Sequence, residues 1–87
     1  MTNTLPTPDV LTVYGASWCS DCRNTRRYLD STGAQYRYVD LQSDVAAQAL
    51  LDRAGYRSIP VVVTTDGTVL IEPSARALAA VMEIRAA

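Results

Sequence analysis

The sequence predicts a small α/β domain of order βαβαββα, a four-stranded mixed sheet flanked by three helices. Three observations carry this reading. Two β-branched and aromatic runs, Val10-Leu11-Thr12-Val13-Tyr14 and Tyr36-Arg37-Tyr38-Val39-Asp40, enclose a helical stretch. That is the pattern of a βαβ unit, whose strands run parallel with a right-handed crossover. Two later apolar runs meet across Asp66-Gly67, a hairpin signal that makes their strands antiparallel. The chain has 87 residues, 48% of them apolar, enough for one core and too few for a second domain.

Each element has its own signals. Residues 1–8 are rich in Thr and Pro and read as a flexible segment ahead of one domain over 9–87. Pro8-Asp9 and Gly15 bound the first strand. The first helix is expected from Ser20 to Ser31, with Asp21 in the dipole-favoured first turn and Gly33 just past its end. Cys22, Thr25, Tyr28 and Leu29 share its inner face at helical spacing. In the second strand Tyr36 and Tyr38 point to one side, Arg37 and Val39 to the other. Ser43 or Asp44 caps a second helix running through Ala54, with Val45, Ala49 and Leu50 as its expected core stripe and Gly55 at its end. The stretch from Pro60 to Thr65 is the most apolar strand, and Thr68 to Ile71 returns beside it. Pro73-Ser74 opens a last helix, with Ser74 as N-cap and Leu78, Val81 and Met82 facing inward.

Composition narrows the function classes. Eight basic and nine acidic residues give a net charge of −1, which argues against a nucleic-acid partner. No apolar run approaches the ~18 residues of a membrane span. The first residues lack the apolar stretch of a secretory signal, so a cytoplasmic protein with no membrane partner is expected. All eight basic residues are Arg. Without His there is no imidazole base or ligand, and without Lys no Schiff base.

Cys19 and Cys22 stand three residues apart, too close to staple a fold. A structural zinc site needs four ligands and the chain offers two cysteines, so no metal site is expected. A Cys-x-x-Cys pair without a signal peptide reads as a redox motif. Cys19 falls at the start of the first helix, where free N–H groups and the dipole favour a thiolate, the nucleophile of disulfide exchange. Cys22 lies one turn deeper, placed to attack a mixed disulfide formed at Cys19. Two inert buried cysteines are the alternative, which the strand–aromatic–cysteine–helix context disfavours. Asp21 serves the helix dipole, and near the sulfur it would oppose a thiolate, with Arg23 as a counterweight.

Trp18-Cys19-Ser20-Asp21-Cys22, Ser58-Ile59-Pro60 and Asp66-Gly67, in a βαβαββα chain of this length, resemble the glutaredoxin family of the thioredoxin superfamily. The resemblance covers about residues 9–84 and implies the thioredoxin/glutaredoxin fold. Ser58-Ile59-Pro60 stands where the family has Thr-Val-Pro, so the resemblance implies a cis bond before Pro60. It also implies that the backbone of Ile59 pairs with the bound thiol or peptide, beside Trp18 and Ser58. Arg57 ahead of this segment and Pro73-Ser74 at the last helix are similar to mycoredoxin-like bacterial glutaredoxins.

The implied activity is a thiol–disulfide oxidoreductase acting on protein disulfides or mixed disulfides, with Cys19 as nucleophile and Cys22 as resolving thiol. No bound cofactor is implied. The co-substrate is a low-molecular-weight thiol (glutathione, mycothiol or bacillithiol), or a flavoprotein reductase supplies the electrons to a monomer. Arg57 is the candidate for a carboxylate of that thiol, and the N–H groups at Ser74 for another anionic group. The family's Cys-Pro-Tyr-Cys is Cys-Ser-Asp-Cys here, and its Gly-Gly before the last helix falls near Ile71-Glu72. Two alternatives stand beside this reading. Gly55-Tyr56 and Pro60-Val61-Val62-Val63 resemble redoxins that donate electrons to ribonucleotide reductase. Family members also share an iron–sulfur cluster between two chains through the first cysteine.

Overall fold

The computed structural model describes residues 5–86. The element order is β1 (Leu11–Gly15), α1 (Ser20–Thr32), β2 (Tyr36–Asp40), α2 (Val45–Ala54), β3 (Val61–Val63), β4 (Val69–Ile71) and α3 (Ala75–Ala86). One four-stranded sheet has the order β2-β1-β3-β4. β1 runs parallel to β2, with Val13 opposite Tyr38 and Gly15 opposite Asp40. β3 runs antiparallel to both β1 and β4. The mixed sheet and the order of elements along the chain are those the sequence predicts.

The central strands are buried on both faces, and their alternation divides the core in two. Tyr14, Val61 and Val63 join Leu41, Ala47 and Leu51 under α2. Leu11, Val13 and Val62 join Leu29 of α1 and Leu78 of α3 on the other face. Tyr36 and Tyr38 pack on this second cluster and Val39 on the first, the two-sided pattern expected of β2.

Helix ends follow local chemistry. Gly33 adopts φ 75 and its N–H reaches the Asp30 carbonyl, closing α1 with a left-handed residue that glycine adopts without a Cβ penalty. The Asp44 carboxylate accepts from the Ala47 N–H at 3.0 Å and caps α2. Between β3 and β4, the Gly67 N–H donates to the Thr64 carbonyl and the Thr64 hydroxyl meets the Asp66 carboxylate. Thr64 is thereby drawn into the turn, so β3 ends at Val63 rather than at Thr65.

Two expectations need correcting. The core stripe of α2 is Ala47 and Leu51, supported by Leu50 and Ala54, while Val45 is 78% exposed. At 3.6 residues per turn, Val45 and Ala49 sit roughly 160–200° around the helix from Ala47. Apolar residues cover most of this helix, so its pattern selects no single face. Leu5 is buried in the α2-side core, so packing begins ahead of Asp9. Residues 1–4 of the segment read as flexible lie outside the described residues. No helix among the described residues is long and apolar enough to cross a membrane.

Candidate active site

β1 ends at Gly15, and the chain turns through Ala16, Ser17 and Trp18 before α1 begins. The Cys19 N–H donates to the Ala16 carbonyl at 3.2 Å. The Ser17 N–H and hydroxyl both donate to Gln42 Oε1, at 3.1 and 2.8 Å. Arg23 Nη1 donates to the Ser17 carbonyl at 2.7 Å. The loop is thus braced from the segment after β2 and from α1 itself. Nothing local in the sequence marks Gln42, because its partner is 25 residues away. Arg23, expected as a counterweight to Asp21, braces the loop.

Cys19 is the N-cap of α1, and its Sγ accepts the Cys22 N–H at 3.2 Å. Sulfur takes the place of the oxygen that ordinarily caps a helix. An N–H and the N-terminal end of the helix are thus directed at this atom. On its other side Cys19 Sγ lies 3.8 Å from the Ile59 carbonyl oxygen. Cys19 is 9% exposed and Cys22 fully buried, and both thiols are free. Burial first, then the hydrogen bond to Cys19, push the Cys22 thiol up to about 12, with Asp21 adding to the effect. Cys22 therefore keeps its proton, while Cys19, buried as well, retains the little exposure that the pair has.

The peptide bond Ile59–Pro60 is cis, as the resemblance implies. Pro60 is buried, and its carbonyl accepts the Glu72 N–H at 2.8 Å, which ties this loop to the segment leading into α3. Glu72 has φ 49, a left-handed conformation in which glycine is the unstrained residue. This is where the family's Gly-Gly pair was expected to fall. Ser74 Oγ accepts the Ala77 N–H at 3.1 Å, so its side chain is an N-cap. Trp18 is 69% exposed, beside Cys19 in the chain. Arg57 and Ser58 are exposed, and Arg57 makes no hydrogen bond or ion pair with another described residue. The structure thus brings Cys19, Cys22 and Ile59 together and leaves Arg57 and Ser74 without a direct contact to the sulfurs.

A groove of about 360 Å³ lies between α1 and the start of α3. Asp21, Asn24, Tyr28, Glu72 and Ser74 are among its lining residues, and no Arg lines it. Among the described residues no three His, Cys, Asp or Glu side chains converge as a metal site.

The glutaredoxin family model matches residues 11–70, which include both cysteines, the cis-proline loop and most of the sheet. The chain belongs to the glutaredoxin family. A protein of Mycobacterium tuberculosis strain H37Rv, provisionally named a glutaredoxin, is 34% identical over 67 residues, 75% of this chain and 80% of its own. Among solved structures, the NrdH-redoxin of Escherichia coli superposes with a TM-score of 0.65 at 24% identity, covering 70% of this chain and 79% of that one. A glutaredoxin of Archaeoglobus fulgidus superposes with a TM-score of 0.69 at 20% identity, covering 83% and 84%. These last two likenesses establish the thioredoxin/glutaredoxin fold. The family assignment makes the chain a glutaredoxin-like redox protein with its two cysteines at Cys-x-x-Cys spacing.

Proposed function

We propose that this glutaredoxin-family protein is a thiol–disulfide oxidoreductase that reduces protein disulfides and mixed disulfides of a small thiol. The observation that carries the reading is Cys19 Sγ at the N-cap of α1, held by the Cys22 N–H beside the Ile59 carbonyl. The Cys19 thiolate attacks a substrate disulfide, one substrate sulfur departs, and a mixed disulfide remains on Cys19. Cys22 then attacks Cys19 Sγ and releases the second substrate thiol. Alternatively an external thiol takes the mixed disulfide directly. The Ile59 backbone aligns the substrate, and the exposed Trp18 indole supplies an apolar contact. Ser58 and Pro60 shape the loop around Ile59.

The groove between α1 and the start of α3, which takes Asp21 from the Cys-x-x-Cys segment, favours one class of small thiol. Asp21 and Glu72 flank it with no cation among its lining residues. Glutathione and bacillithiol bring carboxylates to such a groove, and like charges held close cost several kcal/mol. Mycothiol, a thiol built on sugars without a carboxylate, meets no such repulsion, and the Ser74 N-terminus then offers hydrogen bonds rather than an anion site. Arg57, exposed and without a partner among the described residues, is left to meet a carboxylate on a protein substrate. The likeness to a mycobacterial relative supports this choice, and a cytoplasmic monomer fits it.

The test incubates oxidised protein with mycothiol, glutathione or bacillithiol, each with its recycling reductase, and separately with thioredoxin reductase and NADPH. Turnover with mycothiol is expected to exceed that with glutathione by at least about a hundredfold, the scale of a repulsion of several kcal/mol. Equal turnover with glutathione would remove the charge argument. Turnover with thioredoxin reductase alone would make the protein an electron donor of the NrdH-redoxin type.

A further inference from the structure

The Tyr38 hydroxyl is buried and has no hydrogen-bond partner among the described residues. Tyr36, on the same face of β2, has its hydroxyl paired with Asp30 at 2.7 Å. An unpaired buried hydroxyl is a standing cost to the fold, so its retention calls for a reason. Its position supplies one. A Cβ built on Gly15 would lie 2.8 Å from Cys22 Sγ and 3.2 Å from Tyr38 Oη. The resolving sulfur and the orphan hydroxyl therefore face one small space, kept open by the missing side chain of Gly15. The Arg26 guanidinium sits 4.0 Å from the centre of the Tyr38 ring. A cation over the ring draws charge from the phenol and makes its O–H a better donor.

We propose that Tyr38 is a positioning residue for the resolving step, its hydroxyl donating to the Cys22 sulfur as that sulfur becomes a thiolate. The inference rests on the reading of Cys19 as nucleophile and Cys22 as resolving thiol. In the reduced protein the Cys22 backbone N–H donates to Cys19 Sγ, and the Tyr38 hydroxyl has no hydrogen-bond partner among the described residues. Once Cys19 is tied up in a mixed disulfide, its charge is gone. Cys22 gives up its proton and attacks Cys19 Sγ. The Cys19–Cys22 disulfide forms as the bond from Cys19 to the substrate sulfur breaks. The departing substrate thiolate takes up one proton, so substrate leaves reduced and the cysteine pair is oxidised. Tyr38 keeps its own proton throughout. The charged and titratable groups around this step are Cys19 and Asp21 of α1 facing Cys22, and Arg26 of α1 and Asp40 of β2 facing Tyr38. Gly15 of β1 brings no ionisable side chain.

Tyr38→Phe removes the oxygen and keeps the ring under Arg26. Reduced protein is mixed with a dithiobis(nitrobenzoate) disulfide and the coloured thiolate is followed in single turnover across pH. A first release reports attack by Cys19, and a second reports resolution by Cys22. Tyr38→Phe is expected to leave the first release unchanged and to slow the second about tenfold near neutrality, the scale of one hydrogen bond to a charged sulfur. The pH midpoint of the second release is expected to rise. The melting temperature is expected to hold or rise, because a buried unpaired group has been removed. An unmoved midpoint overturns the proposal whatever the rate, and so does a parallel slowing of both releases. Cys22→Ser, run alongside, must lose the second release. If it does not, the assignment of the resolving thiol fails rather than the role of Tyr38.

Discussion

Cys19→Ser is expected to abolish turnover on every disulfide substrate, whereas Cys22→Ser separates two classes of substrate. Both exits from a mixed disulfide begin with attack by the sulfur at the N-cap of α1, and a serine hydroxyl does not perform thiol exchange. Loss of Cys22 removes only the internal exit. A mixed disulfide with the cognate small thiol still turns over through the external thiol, so that activity stays within about twofold. Release of a protein substrate relies on a tethered second thiol, whose proximity advantage spans orders of magnitude. On protein disulfides the Cys22→Ser variant should therefore fall by at least about a hundredfold. Coupled NADPH assays on one substrate of each class measure the split. If both activities vanish in Cys22→Ser, the mechanism is strictly dithiol.

Gly15→Ala carries the second large effect, and it acts on the fold and the site together. The added Cβ would sit 2.8 Å from Cys22 Sγ and 3.1 Å from Cys22 Cβ. The sulfur must turn away within a fully buried site, and the Cβ yields only as α1 shifts against β1. Overpacking of this kind costs about 1–3 kcal/mol. In a domain of this size each kcal/mol lowers the melting temperature by about 4–8 °C. The resolving step should fail as Cys22 is displaced, even where the folded state survives. Cys22→Ala in the same background removes the sulfur and should recover part of the stability, since contacting sites are non-additive. An unchanged melt in Gly15→Ala would show that the contact between β1 and α1 is looser than this geometry.

What the sequence made legible was written in local chemistry. β2 was readable residue by residue, because its alternation is local. So were the caps at Asp44, Gly33 and Ser74, which depend on neighbours within a turn. The position of Cys19 at a helix start came from the strand–loop–helix order around it. The cis bond at Pro60 came from the family resemblance, since the residues themselves supply only a proline at a strand start. What stayed hidden depends on contacts distant in the chain. The inward face of α2 is chosen by the sheet. Gln42 holds Ser17 because the end of β2 lies beside the end of β1. The meeting of Gly15, Cys22 and Tyr38 needs the parallel register of those strands and the helix laid over them. Glu72 holds a left-handed backbone where the resemblance pointed to glycine, so the conformation persists without the residue that adopts it most readily.

The division of labour between the two thiols is tested most directly by limited alkylation of the reduced protein, with the labelled positions read by mass spectrometry across pH. Cys19, the more accessible of the two buried thiols and placed at the N-cap of α1, should label first. Cys22, buried and with its thiol pushed up to about 12, holds its proton below that range and should label only as the pH climbs toward it or as the protein unfolds. Label on Cys22 at neutral pH, at a rate equal to that of Cys19, would contradict the assignment of nucleophile and resolving thiol.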